Sequence, residues 1–278
     1  VCYDFDDNSS TYNYGKAIMD AKEKPRVAFF SFTCCEGCQL MVLSCERELP
    51  DILSHIKIVN FREAMTEKSD DYEIAFVEGS ISTKEEIKKL NKIRKTARVV
   101  VALGACSSTG GLNCLKNRYP MEEVKERVYG KKAARENKHI QTIPARPIDA
   151  VIHVDYYLHG CPIPKKEFLS FLTSLLMGKK PEITNHPVCV DCKMAGNICV
   201  FEKGLSCLGP VTRAGCDAVC VTYGTWCWGC RGLVDDPNTD AHEQTLKRYG
   251  LTPEAVEKKF DLYGNCKAKK TCLIKKPK

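Results

Sequence analysis

The sequence predicts an α/β fold in which a doubly wound parallel sheet precedes a loop-rich, cysteine-rich domain. Two observations predict it. Residues 25–178 alternate strand and helix signals, and eight cysteines fall within the 42 residues from position 189 to position 230. Alternation of this kind is typical of parallel sheets with right-handed crossovers. The cysteine-rich stretch has few long apolar runs, so we expect bound groups rather than a large core to cross-link it.

Five short apolar segments have the character of strands, and four longer segments have that of helices. The fourth strand contains three successive valines and indicates burial on both faces, as in a parallel sheet. Thr83 and Glu86 form a capping box at the start of the second helix. The predicted strands are 26–32, 56–61, 73–77, 98–103 and 150–157, and the predicted helices are 39–49, 83–95, 120–128 and 165–177. This pattern predicts a flavodoxin-like sheet.

The chain divides into four regions by composition. They are an N-terminal extension (1–24), the flavodoxin-like domain (25–180), a second domain (181–265) and a basic tail (266–278). The net charge of +7 is spread over lysines without interleaved aromatic residues, so we expect no nucleic-acid partner. The acidic, polar start at 1–10 does not resemble a secretory leader, and the best apolar run, 168–177, is short. We therefore expect a cytoplasmic protein without a membrane span.

The eight cysteines of the second domain form two complete sets of four. Their spacings are C-x2-C-x6-C-x7-C and then C-x3-C-x6-C-x2-C, over Cys189, Cys192, Cys199, Cys207, Cys216, Cys220, Cys227 and Cys230. Four thiolates on a short stretch suit an iron-sulfur cluster or a structural zinc. A disulfide framework is disfavoured in a chain of 278 residues. Zinc remains the open alternative on spacing alone.

Further cysteines follow three strands of the predicted sheet. Cys35 and Cys38 come after the first strand, Cys106 after the fourth and Cys161 after the fifth. The carboxyl ends of parallel strands lie at one edge of a sheet, where such folds bind their ligands. Nearby glycines at 37, 104, 110, 111 and 160 allow close approach of the backbone. The sequence therefore predicts a third four-cysteine centre.

Five motifs carry a family resemblance. They are Cys-x-Gly-Cys at 35–38, Val-Glu-Gly-Ser-Ile-Ser at 77–82, Gly-Ala-Cys before paired glycines, Gly-Cys-Pro at 160–162, and Cys-Leu-Gly-Pro-Val-Thr-Arg-Ala-Gly-Cys at 207–216. Together they resemble the small, electron-transferring subunit of nickel-iron hydrogenases over residues 25–265. Within that family, the second half is most similar to the cytoplasmic group that contains the sulfhydrogenase delta subunit and the NADP-linked enzymes. It is similar in second place to the methyl-viologen-reducing (F420-non-reducing) group.

The resemblance implies three 4Fe-4S clusters and two kinds of partner. Electrons would pass between the nickel-iron site of a large subunit and a further redox subunit, of flavin/NADP diaphorase or heterodisulfide-reductase type. This chain would carry electrons and hold no catalytic residue. The proximal cluster would be held by Cys35, Cys38, Cys106 and Cys161; the distal by Cys189, Cys192, Cys199 and Cys207; and the medial by Cys216, Cys220, Cys227 and Cys230. Double-cluster proteins can exchange a ligand between halves, so this partition is the weaker expectation.

The alternative function is that of the complex-I-like 20-kDa cluster subunit of a quinone- or ferredoxin-linked oxidoreductase. Cys34 directly before Cys35 resembles the tandem cysteines of that subunit, but we expect Cys34 to be a packed thiol. That family lacks the eight-cysteine second domain. The chain has no dinucleotide fingerprint and no P-loop.

Several other residues could belong either to a site or to the packing. We expect His186 to be a loop residue. Glu36 and Glu78 could tune the charge of the first centre, serve a proton path, or be hydrogen-bonded loop carboxylates. Trp226 and Trp228 flank Cys227, where they would exclude water or simply pack. The remaining cysteines, at positions 2, 45, 114, 266 and 272, fit no set and are expected to be buried or exposed thiols.

Overall fold

A five-stranded, fully parallel sheet forms the first half of the protein. The structure, a computed structural model, describes residues 23–137, 139–252, 259 and 261–263. The strands are β1 (Arg26–Ser31), β2 (Lys57–Phe61), β3 (Ile74–Glu78), β4 (Val99–Leu103) and β5 (Tyr156–Leu158). Their order across the sheet is β2-β1-β3-β4-β5, and every neighbouring pair is parallel. This order confirms the doubly wound, flavodoxin-like prediction.

Helices cover both faces of the sheet and continue into the second half of the chain. The α-helices are α1 (Gly37–Leu43), α2 (Leu49–His55), α3 (Lys84–Thr96), α4 (Gly104–Thr109), α5 (Met121–Tyr129), α6 (Lys131–Glu136), α7 (Lys165–Leu176), α8 (Val188–Met194), α9 (Val219–Thr222) and α10 (Thr239–Arg248). Short 3-10 segments cover Gly111–Arg118, Ile148–Ala150 and Val200–Lys203. None of the helices in the described ranges combines the length and apolar character needed to cross a lipid bilayer.

Two apolar clusters sandwich the sheet. On one face Phe76 of β3 meets Phe168 and Phe171 of α7 edge-on, with ring centroids 5.8 and 6.2 Å apart. On the other face Leu90 and Ile93 of α3 are buried in a second cluster with strand residues. Every residue of β3 and β4 is buried, as the continuous apolar runs predict for central parallel strands.

Two predicted elements differ from the structure. The last strand spans only Tyr156–Leu158, because residues Ile148–Ala150 form a 3-10 turn and the Asp155 side chain accepts the Val100 N–H at 2.7 Å, where a strand would begin to pair. The first predicted helix, 39–49, is shorter in the structure, since α1 ends at Leu43. A separate helix, α2, begins at Leu49 with Pro50 in its first turn, where the missing N–H of proline is tolerated.

The second half of the chain packs as short helices and loops around a third, smaller apolar cluster. This cluster includes Val188, Val200, Phe201 and Leu246, together with the cysteines Cys207 and Cys227. Isolated bridges join Pro187 to Arg213 and Thr212 to Leu233. Its loops carry the eight cysteines of the second domain, of which Cys230 lies against the Cys161 loop at the carboxyl edge of the sheet.

Candidate metal centres

The loops that follow β1, β4 and β5 bring four thiols together at the carboxyl edge of the sheet. Cys38 lies in the first turn of α1 and Cys106 in α4, directly after β4. The Cys106 thiol is close enough to interact electrostatically with those of Cys161 and Cys35, and Cys38 interacts with Cys161 and Cys106. The Cys34 thiol, which is not among the predicted ligands, also interacts with Cys106. Cys35 and Cys161 are exposed, whereas Cys38 is buried. We refer to these four as the first thiol set.

Glycines make the close packing of the first thiol set possible. Gly104 has a φ of +83°, and a Cβ there would lie 2.3 Å from Sγ of Cys38. Gly111 has a φ of +55°, and a Cβ there would lie 3.0 Å from Sγ of Cys106. Only glycine adopts such a conformation without strain and leaves this room. The loops are therefore shaped around the thiols.

Glu78 is the buried carboxylate behind the first thiol set. It ends β3 and is 2% exposed. Its two oxygens accept the N–H groups of Cys38 and Gln39, each at 3.1 Å. Burial raises the pKa of Glu78, against these hydrogen bonds, which lower it. Burial, and then neighbouring charges that include Glu78, raise the pKa of the Cys38, Cys106 and Cys161 thiols. Glu78 is therefore both a hydrogen-bonded carboxylate, which fixes the start of α1 beside Cys38, and a charge that acts on the first thiol set.

The thiols of Cys189, Cys192, Cys199 and Cys207 form the second thiol set. Burial, followed by the neighbouring thiols of Cys207, Cys192 and Cys199, raises the pKa of Cys189 to about 12. A Cβ at Gly209 would lie 3.3 Å from Sγ of Cys189 and 3.4 Å from Sγ of Cys207, so these two thiols flank a bare backbone segment. The sulfur of Cys207 accepts the N–H of Gly209 at 3.4 Å.

The third thiol set contains Cys216, Cys220 and Cys230, with Cys227 lying between it and the second set. Burial and then the Cys216 thiol raise the pKa of Cys230 to about 12, and the same two causes raise the pKa of Cys220. Cys227 interacts with Cys207 and, more weakly, with Cys230. The structure thus places Cys227 at the boundary of the two sets.

Two backbone N–H groups connect the three sets through sulfur. The N–H of Cys161 donates to the thiol sulfur of Cys230, which joins the first and third sets. The N–H of Cys227 donates to the sulfur of Cys207 at 3.3 Å, which joins the third and second sets. The sets therefore follow one another in space in the order first, third, second.

The chemistry of these donors fits metal clusters. Burial raises the pKa of several thiols, so holding them as thiolates requires a cationic centre. Soft thiolate sets are the ligands of iron-sulfur clusters and zinc. Within the described ranges, no group of three or more His, Cys, Asp or Glu side chains is placed to hold a metal ion. The three sets are defined by the pairwise proximity of their thiols.

The other candidate residues lie outside the sets. Nε2 of His186 is 2.9 Å from Oδ1 of Asp191, so this histidine is paired in a loop. Glu36 forms an ion pair with Arg62. The thiol of Cys34 contacts the carbonyl oxygen of Phe32 at 3.6 Å, and burial followed by Glu78 raises its pKa to about 12.

The unassigned cysteines differ in their surroundings. Cys45 is completely buried in the core, as a small hydrophobic residue would be. Cys114 is 1% exposed and is disulfide-bonded, so the expectation of a thiol is wrong there. Cys2, Cys266 and Cys272 lie outside the described residues.

Aromatic and basic residues cover the second thiol set and were not all predicted. The rings of Trp226 and Trp228 are 4.7 Å apart, and Nζ of Lys259 lies 3.5 Å from the centre of the Trp226 ring. Nε2 of His242 is 2.9 Å from the carbonyl oxygen of Cys207. His242 and Lys259 were missed because neither stands in a motif with the cysteines.

Comparison with known proteins defines the class of the chain. Residues 35–175 match the family model described as NADH ubiquinone oxidoreductase, 20 Kd subunit. The chain is 32% identical to sulfhydrogenase 2 subunit delta of Pyrococcus furiosus over 238 residues, which cover 84% of this chain and 97% of that protein. It therefore belongs to the family of small, iron-sulfur subunits of nickel-iron hydrogenases, whose first domain is that of the 20 Kd subunit.

Further relatives agree with this assignment. The chain is 30% identical to a vhu subunit of the F420-non-reducing hydrogenase of Methanocaldococcus jannaschii, over 76% of this chain and 82% of that protein. A chain of an NAD+-reducing [NiFe]-hydrogenase superposes with a TM-score of 0.53 at 27% identity, covering 58% of this chain and 95% of that one. A chain of the [NiFeSe] hydrogenase from Desulfovibrio vulgaris Hildenborough has the same fold, with a TM-score of 0.50 at 17% identity over 78% of this chain and 96% of that one.

Proposed function

We propose that this chain relays electrons between the nickel-iron site of a partner large subunit and a further redox subunit through three 4Fe-4S clusters. The first thiol set would hold the proximal cluster, the third set with Cys227 the medial cluster, and the second set the distal cluster. The redox subunit would be of flavin/NADP diaphorase or heterodisulfide-reductase type. The relatives that support this proposal are a sulfhydrogenase subunit and F420-non-reducing hydrogenase subunits.

The observation that carries the proposal is the chain of contacts between the three sets. The N–H of Cys161 donates to the sulfur of Cys230, and the N–H of Cys227 donates to the sulfur of Cys207. Each contact joins one predicted ligand to the backbone of another, so the three sites lie next to one another in series. A series of adjacent redox sites is the arrangement that electron transfer requires.

The residues around the sulfur atoms have defined tasks in this proposal. A bound 4Fe-4S cluster supplies the capacity to accept and return one electron. The N–H groups of Gly209 and Cys227 donate to the Cys207 sulfur. Hydrogen bonds to sulfur favour the reduced, more negative state, whereas exclusion of water disfavours it. The balance of these two effects would set the reduction potential of each site.

The exposed thiols indicate where the partners would bind. Cys35 and Cys161 are exposed, and Leu40 of α1 nearby is 54% exposed. Cys199 of the second set is also exposed, beside Ile198 at 65%. Electrons would therefore enter at the carboxyl edge of the sheet and leave at the opposite end of the series.

The complex-I-like alternative is less well supported. The 20 Kd family model matches residues 35–175, which include only the first thiol set. The hydrogenase relatives match over most of the chain, and the eight cysteines at 189–230 lie beyond the 20 Kd match. We also propose a cytoplasmic location, that of the hydrogenase group which the sequence of the second half resembles.

Metal analysis tests the proposal. Three clusters predict about twelve iron and about twelve acid-labile sulfide per chain after anaerobic purification. Cys35→Ser should lower both values, whereas Cys34→Ser, its neighbour outside the sets, should leave them unchanged. Four or eight irons with bound zinc in the parent protein would contradict the three-cluster proposal.

A further inference from the structure

Arg231 is a buried cation at the junction of the two halves of the chain. Its side chain is 1% exposed. Nε donates to the carbonyl oxygen of Ala214 at 2.7 Å, Nη1 donates to that of His159 at 2.5 Å, and Nη2 donates to Oε1 of Glu167 at 2.6 Å. One guanidinium at position 231 therefore connects the loop at position 214 with the segment 159–167, which lies far away in the sequence.

Each of these segments adjoins a predicted cluster ligand. Arg231 directly follows Cys230, His159 lies two residues before Cys161, and Ala214 lies two residues before Cys216. Glu167 lies in the first turn of α7, which begins shortly after Cys161. The ion pair thus fastens loops of the third thiol set to the loop that carries Cys161.

The backbone is built closely around this ion pair. Gly215 has a φ of +107°, and a Cβ there would lie 2.7 Å from Nη2 of Arg231 and 3.2 Å from Oε1 of Glu167. Any other residue at position 215 would be strained and would displace the guanidinium. Directly beside the pair, the N–H of Cys161 donates to the sulfur of Cys230. The hydroxyl of Tyr263 forms a hydrogen bond with the Cys161 thiol on the same junction.

A buried ion pair contributes little to the stability of the fold, because desolvation of both charges offsets most of their attraction. It is better suited to fixing one geometry, since the planar guanidinium donates in set directions and stays charged. Electron transfer between two centres slows steeply as their separation grows. An ion pair that fixes the separation of two ligand-bearing loops therefore affects the rate of electron transfer between their centres.

We propose that Arg231 and Glu167 form a positioning pair, which holds Cys230 against Cys161 and thereby fixes the electron path between the first and third thiol sets. The inference rests on the proposed function and adds to it the residues that define the junction between two of its sites. Neither side chain is a ligand or a catalytic residue.

The test compares Arg231→Gln with Arg213→Gln in the anaerobically purified complex with its large subunit. Arg213 is a matched control, because it is also buried and donates to Thr184, Asn185 and Asp235, all in the second half. Hydrogen-deuterium exchange at residues 159–163 reports on the junction whether or not clusters are bound. Magnetic coupling between the reduced clusters, measured by electron paramagnetic resonance, reports on their separation.

Arg231→Gln should speed exchange at 159–163 by at least about tenfold, as expected for a broken buried ion pair, and should weaken the coupling. Arg213→Gln should speed exchange only around 184–185 and 232–235. Glu167→Gln keeps the guanidinium, so it should speed exchange at 159–163 and weaken the coupling by less than Arg231→Gln does. If Arg231→Gln does not fold, Glu167→Gln serves as the test. Unchanged exchange and coupling in both junction variants, or an equal effect of Arg213→Gln, would overturn the proposal. Fewer than three clusters in the parent would instead contradict the proposed function, and the exchange data would still decide the role of the ion pair.

Discussion

At the residue scale, the first thiol set depends on positions where only glycine fits. Gly104 and Gly130 both have a positive φ, +83° and +79°, so alanine is strained at either position. They differ in their surroundings. A Cβ at Gly104 would lie 2.3 Å from Sγ of Cys38, whereas a Cβ at Gly130 would have no atom within 4 Å. The two glycines therefore separate backbone strain from a clash with a thiol.

Gly104→Ala should displace Cys38 and lower the iron content by about four atoms per chain. Gly130→Ala should cost about 1–3 kcal/mol of stability, because the φ of +79° and ψ of 154° at this position lie in a region that is almost restricted to glycine, and the variant should keep its iron. Iron analysis and urea denaturation of both variants measure the two effects. Full iron content in Gly104→Ala would show that the Cys38 thiol is not a ligand.

The cysteine ligands of the candidate sites could be predicted from sequence more readily than the residues that position their loops. Spacing indicated the eight candidate ligands of the second domain, because few other arrangements use four thiols on a short stretch. The other four were indicated by their positions after strands of a parallel sheet. Arg231 and Gly215 carry no such signal. An arginine is normally exposed, and its burial depends on acceptors such as Glu167 that lie far away in the sequence. Only the folded chain shows that these residues meet.

At the scale of elements, local hydrogen bonds fix the helix that follows β3. The Thr83 hydroxyl accepts the N–H of Glu86 at 3.2 Å, and Oε2 of Glu86 accepts the N–H groups of Thr83 and Ser82 at 2.9 and 2.7 Å. This confirms the predicted capping box. Oε1 of Glu86 also accepts the hydroxyl of Thr33, at 3.0 Å, so the box connects α3 to the loop after β1.

Thr83→Ala should therefore lower the free energy of unfolding by about 1 kcal/mol. Glu86→Ala should cost more, because it also removes the acceptor of Ser82 and Thr33. The control is Lys89→Ala at an exposed position of the same helix, which should change stability by less than about 0.5 kcal/mol. Urea denaturation orders the three variants, and an equal loss in all of them would contradict this account of α3.

Strands and helices with strong local signals could be predicted closely, and those decided by distant contacts could not. Strand β4 and helix α3 lie within one residue of their predicted bounds, since a valine run and a capping box mark them. Strand β5 is shorter than predicted because Asp155 pairs with the backbone of β4. No pattern within residues 150–157 reveals that contact.

At the scale of the whole molecule, the two halves are stabilised differently. The first half has apolar clusters on both faces of its sheet, whereas the single cluster of the second half is small and includes Cys207 and Cys227. A thin core needs cross-links, which bound clusters would supply. We therefore expect the second half to depend on its metal.

Cys192→Ala should make the second half sensitive to protease while the flavodoxin-like half stays protected. Cys45→Ala is the control, because Cys45 is buried in the first half and belongs to no thiol set. Limited proteolysis with identification of the fragments measures the difference. If residues 181–252 remain as protected in Cys192→Ala as in the parent, the second half does not rely on its clusters.

The most direct test of the relay follows reduction of each cluster in Cys106→Ser and Cys189→Ser, in complex with the large subunit, under hydrogen gas. Cys106 lies in the first thiol set, at the proposed entry, and Cys189 in the second set, at the proposed exit. Electron paramagnetic resonance should show inner clusters that hydrogen reduces in Cys189→Ser but not in Cys106→Ser, with Cys34→Ser behaving as the parent. Inner clusters reduced in Cys106→Ser and not in Cys189→Ser would show that electrons enter at the other end of the chain.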